Sequence, residues 1–274
     1  SELLESIPVL VISAESKTEV ERECLELGVS EFIRKPFDSV TVRSRVKNIV
    51  DLFKYKNRLE EKVRIQTDNL KRQNKLLEQQ TIKIKENNEN IIDVLGTVVE
   101  YRNLESGEHI KRVKGFTRIL AECAAQKYPE YSLTPEKIDI IVAASALHDI
   151  GKIGIPEEIL NKPGKLSDEE YEIIKTHTTE GGKILKDFTS IEHIKDGALY
   201  HHERFDGKGY PEGLEGEQIP LVARIICVAD SFDAMNSDRC YRKRLTREEI
   251  EREITQNRGT QFDPEIADCL LQLL

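Results

Sequence analysis

Eight imidazole and carboxylate side chains are grouped along this chain in a way that could bind metal ions. They are Glu105, His109, His148, Asp149, His177, His201, His202 and Asp230. Glu105 and His109 are four residues apart, so a helix would place both on one face. Asp230 lies in an otherwise apolar segment, where an unpaired buried carboxylate is costly and a bound cation would offset that cost. Each cluster is weak evidence alone, but the combination predicts a metal site.

The number and mixture of these ligands exceed what one tetrahedral zinc ion requires. Imidazoles mixed with carboxylates suit a cluster of octahedral divalent ions such as Fe or Mn. Two such ions about 3.5–4 Å apart can share a bridging water, lower its pKa and clamp the phosphate that it attacks. The residue types therefore predict metal-assisted hydrolysis of a phosphate ester.

Helix signals dominate the part of the chain that contains these residues. Thr134 precedes Pro135, which favours a helix that begins at the proline. The stretches SDEE (167–170) and TREE (246–249) both fit a capping box. Because no convincing alternating strand pattern is present, we predict a mainly α protein in which residues 95–274 form an all-α helical bundle.

Residues 48–94 are predicted to form a coiled-coil linker helix. Apolar residues recur there every seven positions, among them Ile49, Leu70, Leu77 and Ile91. The column three positions later turns to glutamine in the middle. The pattern favours a parallel homodimer, which the glutamine layers would weaken and leave able to shift register. The alternative is a single solvated helix, which would gain little stability from helix propensity alone.

The first 47 residues alternate between short apolar runs and helical stretches. IPVLVIS (7–13) and EFIRKPF (31–37) are typical of strands buried in a parallel sheet. Helices are predicted at 16–28 and 39–50. Four elements alone would leave a sheet edge unpaired and a core half built, so we expect residues 1–47 to be part of a larger α/β domain.

The composition argues against several classes of protein. A net charge of -9 over 274 residues disfavours general nucleic-acid binding through a basic surface. The chain contains no apolar run of the length that a membrane span needs, so we expect no membrane association. The five cysteines are scattered and never spaced as CxxC, which favours free thiols in a reducing compartment over disulfides or a zinc knuckle. We therefore predict a cytoplasmic location.

Two motifs carry a resemblance to a known family. HDIGK (148–152) and HHERFDGKGYPEGLEGEQIPLVARIICVADSFDAM (201–235) are similar to the motifs of the HD-GYP family, a branch of the HD-domain metal phosphohydrolases. The resemblance covers residues 95–274, and the long second motif is highly specific. It implies an enzyme that hydrolyses the bacterial messenger cyclic di-GMP to pGpG, GMP or both, through a hydroxide that bridges two metal ions.

The resemblance also implies roles for individual residues. The expected metal ligands are His148, Asp149, His177, His201, His202 and Asp230, with Asp149 bridging two ions. Glu105 and His109 match the positions that add a third ion. Lys152 matches a lysine that contacts the scissile phosphate, and Arg239 and Arg242 match basic positions that hold the phosphates or the guanine bases. His148, Asp149 and Lys152 are thus the expected catalytic residues.

The N-terminal segment resembles the C-terminal half of a response-regulator receiver domain. The matching residues are Ser13, Phe32 and the pair Lys35 and Pro36. In such domains the phosphoacceptor aspartate lies earlier, so we do not expect this segment by itself to be phosphorylated. The resemblance implies the output domain of a two-component system with a cognate histidine kinase. In the HD-GYP family the GYP turn, which is GYPEGL (209–214) in this chain, also serves as a surface for GGDEF-domain partners.

Two other functions are compatible with the sequence. A regulator could bind cyclic di-GMP or a partner without turnover, although the complete ligand set disfavours it. A phosphohydrolase of the wider HD superfamily could act on another cyclic dinucleotide, which the GYP motif does not separate from cyclic di-GMP. Incubation with these dinucleotides and identification of the products would discriminate between the three functions.

Overall fold

The computed structural model describes residues 7–15, 17–102, 108–187, 193–238 and 243–274. The chain divides into two compact units, Ser1–Lys83 and Ile84–Leu274. Within the described residues, no helix is both long enough and apolar enough to cross a membrane. The prediction of a mainly α protein with an all-α bundle is confirmed.

The first unit contains a parallel strand–helix–strand motif. Strand β1 (Leu10–Ser13) pairs with β2 (Glu31–Arg34), and helix α1 (Thr18–Glu26) connects them. Phe32 and Ile33 of β2 are buried. Both strands are shorter than predicted, because the ladder runs only from the Leu10–Glu31 pair to the Ser13–Arg34 pair. Helix α1 is also shorter than the 16–28 predicted for it. The order of the elements agrees with the sequence pattern.

Helix α2 (Ser39–Arg102) is a single helix of 64 residues. Residues 39–50 are helical as predicted, and they continue into the predicted linker segment without a break. No glycine or proline interrupts the helix before Gly96, so nothing in the sequence ends it near residue 48. Leu70 and Leu77 of the heptad column are each 58% exposed in the single chain.

The second unit is a bundle that begins with the C-terminal part of α2. Its other helices are α3 (Glu108–Lys127), α4 (Pro135–Ala146), α5 (Glu157–Leu160), α6 (Asp168–Ile184), α7 (Ile194–Tyr200), α8 (Leu221–Asn236), α9 (Arg247–Asn257) and α10 (Pro264–Leu273). Helix α3 packs against α4 and α8 at the centre. Leu120 of α3 and Ile226 of α8 are at most 1% exposed there. Burial of an apolar side chain of this size contributes about 1.5–3 kcal/mol.

Side-chain caps fix where several of these helices begin. The Thr134 hydroxyl accepts a hydrogen bond from the Lys137 N–H, and Pro135 occupies the first turn of α4. The capping boxes predicted at Ser167 and Thr246 are both formed, at the starts of α6 and α9. Each cap contributes about 1 kcal/mol. The sequence signals therefore give the starts of these helices correctly.

Packing around the centre brings three further elements together. Helix α6 packs against the 3-10 segment Ile150–Gly154 and against α7. Helix α7 in turn packs against α4 and α8. The C-terminal end of α4, the interior of α6 and the C-terminal end of α7 carry most of the predicted ligands, so these contacts position the candidate site.

Candidate metal centre

Three predicted ligands converge on the carboxylate of Asp149. His148 follows the end of α4, His177 lies within α6 and His201 follows the last residue of α7. The Nε2 atom of His148 lies 3.4 Å from Oδ2 of Asp149. The Nε2 atoms of His177 and His201 lie 3.4 and 3.8 Å from its Oδ1. Residues from three separate elements therefore meet at one carboxylate.

Backbone carbonyl groups orient these imidazoles. In His148, His177 and His201, Nδ1 lies between 2.6 and 3.1 Å from a carbonyl oxygen in the preceding helical turn. A carbonyl oxygen only accepts hydrogen bonds, so Nδ1 must carry the hydrogen atom in each ring. In the neutral ring the lone pair is then on Nε2, the atom that faces Asp149.

The donor atoms of this cluster fit a divalent cation. Nε2 of His177 and Nε2 of His201 lie 3.4 Å apart, and both carry a lone pair, which a cation between them would stabilise. Among the described residues, the buried Nε2 of His148 and Oδ1 of Asp149 have no hydrogen-bond partner. Ligand atoms roughly 2.0–2.2 Å from a common ion lie at most about 4.4 Å apart. The separations around Asp149 meet that limit.

His202 extends the cluster towards the GYP turn. Ligand atoms of His177, His201 and His202 all lie within 4.8 Å of one another. The ring centroids of His201 and His202 are 4.2 Å apart. His202 is also stacked on the ring of Tyr210, with centroids 4.9 Å apart. The two adjacent histidines therefore belong to the same site as His177.

A second group of ligand atoms forms around Asp230 of α8. His109, His148 and Asp230 offer atoms within 4.8 Å of one another. The Nε2 atom of His109 lies 3.6 Å from Oδ1 of Asp230, and that of His148 lies 3.9 Å from the same oxygen. The buried carboxylate of Glu100, at the end of α2, lies 3.7 Å from Nε2 of His109. The predicted ligand Glu105 lies outside the described residues, as do Arg239 and Arg242.

Burial and charge affect these imidazoles in different ways. Burial lowers the pKa of His177 and His201, and it lowers that of His202 to about 4. These rings are therefore neutral donors near pH 7. Burial also opposes a charge on His148, but the adjacent carboxylate of Asp149 raises the pKa of His148 to about 9. In the absence of an ion, both ring nitrogens of His148 therefore carry a hydrogen at neutral pH, and the ring is positively charged.

Lys152 lies beside the same carboxylate. Its Nζ is 2.6 Å from Oδ2 of Asp149. Burial opposes ionisation of Asp149, but the charge of Lys152 keeps the pKa of this carboxyl group well below its usual range. Arg102, at the end of α2, donates to the carbonyl oxygens of Lys152 at 3.4 Å and of Ile155 at 3.0 Å, and also to that of Ile153. The guanidinium thus holds the backbone of the segment that carries Lys152.

Gly151 allows the two ligand-bearing segments to touch. A Cβ atom at this position would lie 1.8 Å from the carbonyl oxygen of His177 and 2.5 Å from the nitrogen of Gly181. Atoms of a side chain do not approach backbone atoms so closely, so only glycine fits. The HDIGK segment and helix α6 are therefore in direct backbone contact.

Besides Glu100, the sequence reasoning missed two buried carboxylates next to the site. Asp233 of α8 is 1% exposed, and Nδ1 of His109 lies 2.7 Å from its Oδ2. Glu203 is 2% exposed and accepts hydrogen bonds of 2.8–3.1 Å from three backbone N–H groups of the GYP turn. Asp233 lies three residues after Asp230 in an apolar helix, and this spacing could have indicated that both carboxylates share one face of the helix. No residue type signals the partners of Glu203, because all three are backbone groups.

A cavity of about 400 Å³ opens beside the ligands. Its walls include the predicted ligands His202 and Asp230, together with Tyr210 and the basic side chains of Lys175 and Lys208. A cavity of this volume is typical of small-molecule sites. Its lysines would favour an anionic ligand next to the metal ligands.

Similar proteins are known for both the sequence and the fold. The sequence profile of the HD domain matches residues 73–266. A cyclic di-GMP phosphodiesterase of Thermotoga maritima is 37% identical over 275 residues, which cover 98% of this chain and 72% of that protein. The cyclic di-GMP phosphodiesterase response regulator RpfG of Xanthomonas campestris is 34% identical over 273 residues, which cover 97% of this chain and 67% of that protein.

The fold is similar to that of one solved enzyme. The crystal structure of a cyclic GMP-AMP specific phosphodiesterase of Vibrio cholerae matches with a TM-score of 0.50 and 20% sequence identity. The match covers 68% of this chain and 48% of that one. At this identity the similarity concerns the fold, and the chain spans about half of the solved protein.

Proposed function

The chain belongs to the HD domain family, in its HD-GYP branch, and on that premise we propose that it is a metal-dependent phosphodiesterase that hydrolyses cyclic di-GMP to pGpG, GMP or both. The observation that carries the proposal is the convergence of Nε2 of His148, His177 and His201 on the Asp149 carboxylate. Two relatives that match nearly the whole chain are named as cyclic di-GMP phosphodiesterases, which supports this substrate.

Two or three divalent ions, Fe or Mn, would be held by the imidazole and carboxylate ligands. The residues that would hold two of them are His148, Asp149, His177, His201, His202 and Asp230. His109, with Glu105, would hold the third. A mixed set of imidazole and carboxylate donors suits octahedral ions of this kind. When bound, the ions would supply a nucleophile from water at neutral pH and polarise the phosphoryl oxygens.

Protein side chains would bind and orient the dinucleotide. Nζ of Lys152 lies 2.6 Å from Oδ2 of Asp149, so it could reach a phosphate bound next to the metal ligands. The positive charge of Lys152 would stabilise the negative charge that develops on this phosphate during hydrolysis. We propose that Arg239 and Arg242 hold the phosphates or guanine bases. Lys175 and Lys208, which line the neighbouring cavity, would add positive charge to the surface that binds the dinucleotide.

We further propose that residues 1–47 are part of a receiver domain, 48–94 a coiled-coil linker and 95–274 the phosphodiesterase domain. The parallel β1–β2 pair supports the receiver assignment. So does the 2.8 Å hydrogen bond from the Lys35 N–H to the carbonyl oxygen of Ser13, because it places two of the matching residues side by side. In this organisation a cognate histidine kinase would act on the receiver.

The exposed heptad column of α2 supports a homodimer through the linker helix. Its leucines are more than half exposed in one chain, and a second copy of the helix would cover them. We also propose that the GYP turn accepts a GGDEF-domain partner. A cytoplasmic location stays a prediction from the scattered cysteines, of which the four that the structure describes are free thiols.

Hydrolysis of cyclic di-GMP by Mn²⁺- or Fe²⁺-loaded protein tests the proposal. We expect the His148→Ala variant to lose turnover while its fold is retained. The matched control is His193→Ala, because His193 is exposed, pairs with Asp196 at 3.0 Å and lies at the opposite end of α7 from His201. Parallel reactions with 3′,3′-cyclic GMP-AMP measure selectivity among cyclic dinucleotides.

The possible outcomes separate the competing functions. Turnover by metal-stripped protein, or undiminished turnover by the His148→Ala variant, would refute the metal-dependent mechanism. Tight binding of cyclic di-GMP by metal-loaded protein without any product would favour a non-hydrolytic regulator. Faster hydrolysis of the hybrid dinucleotide would change the assigned substrate while leaving the reaction class intact.

A further inference from the structure

His109 is held differently from the other predicted ligands whose Nδ1 contacts the structure describes. His148, His177 and His201 each donate from Nδ1 to a backbone carbonyl in their own helical turn. His109 instead has its Nδ1 2.7 Å from a side-chain oxygen, Oδ2 of Asp233, which lies on another helix. The orientation of this one imidazole therefore depends on a residue that a substitution can remove.

Asp233 is itself held on three sides. Nε of Arg112 donates to its Oδ1 at 2.6 Å, and Nη2 of Arg112 donates to its Oδ2 at 3.0 Å. The hydroxyl of Ser237 donates to Oδ1 at 3.4 Å. The carboxylate is 1% exposed, whereas the Arg112 side chain is 38% exposed. This two-pronged contact fixes the plane of the carboxylate, so the oxygen that faces His109 has a defined position.

The geometry at Asp233 determines which nitrogen of His109 is available to an ion. An ionised carboxylate only accepts, so the hydrogen of His109 must be on Nδ1 and the lone pair on Nε2. Nε2 points towards Asp230, whose Oδ1 is 3.6 Å away. The Nε2–Oδ1 separation is below the limit of about 4.4 Å for two ligands of one ion. The Asp233–His109 contact thus directs an ion-binding lone pair at the Asp230 carboxylate.

We propose that Asp233, braced by Arg112, is the positioning residue for the ion held by His109, and that it controls occupancy of this ion separately from the two ions around Asp149. This inference rests on the proposed function, since it takes His109 as a ligand of the third ion. The other ligand histidines with described Nδ1 contacts rely on backbone groups, so loss of Asp233 should leave the sites around Asp149 intact. The chain would then contain a two-ion core with a third ion whose binding is tuned by the Arg112–Asp233 pair.

A purely structural role for the pair makes a different prediction. The Arg112–Asp233 contact also joins α3 to α8, as the contact between Arg118 and Asp139, at 2.9 Å, joins α3 to α4. If the first contact served only to join helices, its loss would change stability and leave ion binding unaltered. Arg118→Met is therefore the matched control for Arg112→Met.

Mn²⁺ binding to the full chain tests the inference. Equilibrium dialysis over a range of Mn²⁺ concentrations, followed by metal analysis, would give the number of ions and their affinities for wild type, His109→Ala, Asp233→Asn, Asp233→Ala, Arg112→Met and Arg118→Met. Thermal unfolding of the metal-free proteins would report on the fold. Asp233→Asn nearly preserves the shape of the side chain, so it serves if Asp233→Ala does not fold.

We expect three ions per chain in wild type and two in His109→Ala. In Asp233→Asn the third ion should bind about 10–100-fold more weakly, with the other two unchanged, and Arg112→Met should show a smaller effect in the same direction. Arg118→Met should match wild type. If His109→Ala loses an ion while both Asp233 variants bind all three ions with wild-type affinity, the role proposed for Asp233 is wrong. The assignment of a third ion to His109 would then still hold. If His109→Ala binds as many ions as wild type, the assignment of His109 as a ligand of a third ion is wrong.

Discussion

The ring of Tyr210 stacks on the imidazole of His202, with centroids 4.9 Å apart and ring planes inclined by 29°. Tyr210 belongs to the GYP turn, and Gly209 precedes it at a position where a Cβ would lie 2.3 Å from the nitrogen of Arg204. The turn therefore lies directly against the segment that follows His202. Within the proposed site, the turn covers one face of a ligand imidazole and limits where that ring can move.

Glu203 is expected to be the main anchor of this turn. The Glu203→Ala variant would leave three partly buried N–H groups without their carboxylate acceptor. We expect the free energy of unfolding to fall by about 2–4 kcal/mol, because hydrogen bonds to a charged group are worth about 1.5–3 kcal/mol each and water would replace part of that contribution. Urea unfolding measures the change. Glu212→Ala in the same turn is the control, and equal stability of the two variants would contradict the prediction.

Proton release is expected when an ion binds near His148. The pKa of His148 is raised to about 9 from an ordinary value of about 6.5, so the metal-free folded protein gains stability from protonated His148 below about pH 6.5 and loses that contribution as the pH rises through 9. A bound ion must displace the proton, so Mn²⁺ affinity should increase with pH up to about 9. Calorimetry at pH 7 in buffers of different ionisation enthalpy would count the released protons. A His148→Ala variant that releases as many protons as wild type would disprove this origin.

Arg102 is expected to affect turnover without binding the substrate. It donates to backbone carbonyls at Lys152 and Ile155, so Arg102→Met should let the Lys152 segment move relative to the ions. We expect kcat for cyclic di-GMP to fall about 10-fold or more, since small displacements of a positioned group are costly, with the ion content unchanged. Steady-state kinetics and metal analysis on the same samples test this. Arg118→Met provides the baseline, and loss of ions in Arg102→Met would point to a wider structural role.

The glutamine layers of α2 are expected to weaken dimerisation. Leucine at Gln66, Gln73 and Gln80 should extend the apolar seam and lower the dimer dissociation constant by at least about 10-fold, because burial of each leucine contributes more than 1 kcal/mol. Sedimentation equilibrium over a dilution series measures the constant. Gln79→Leu adds the same side chain away from the seam and should have little effect. An unchanged constant in the triple variant would count against the parallel coiled coil.

Local signals and motif spacing predicted much of the second unit, but not its long-range contacts. The caps at Thr134 and Ser167 were readable because a cap and its partner lie within three residues of each other. The ligands around Asp149 were expected from the motifs, and the structure places their donor atoms together. Asp233 lies 124 residues from His109, and no pattern within one segment encodes a contact over that separation. The partners of Glu203 are backbone groups, which every sequence contains.

The first unit shows a different limit of sequence reasoning. The order of strands and helices was correct, because apolar runs and helical periodicity are local properties. The helix predicted at 39–50 and the linker helix are one continuous helix in the structure. A change in composition there, from a domain-like to a coiled-coil-like pattern, is not a helix terminator, and the backbone continues without interruption.

The backbone contact at Gly151 has a consequence for how the site tolerates variation. Asp149 and His177 belong to segments that meet main chain to main chain, so no side-chain rotamer intervenes in setting their separation. Substitutions in the surrounding core alter rotamers more readily than they alter main-chain contacts. Substitutions in the surrounding residues should therefore leave the distance between Asp149 and His177 unchanged. A single added methyl group at position 151 would change that distance directly.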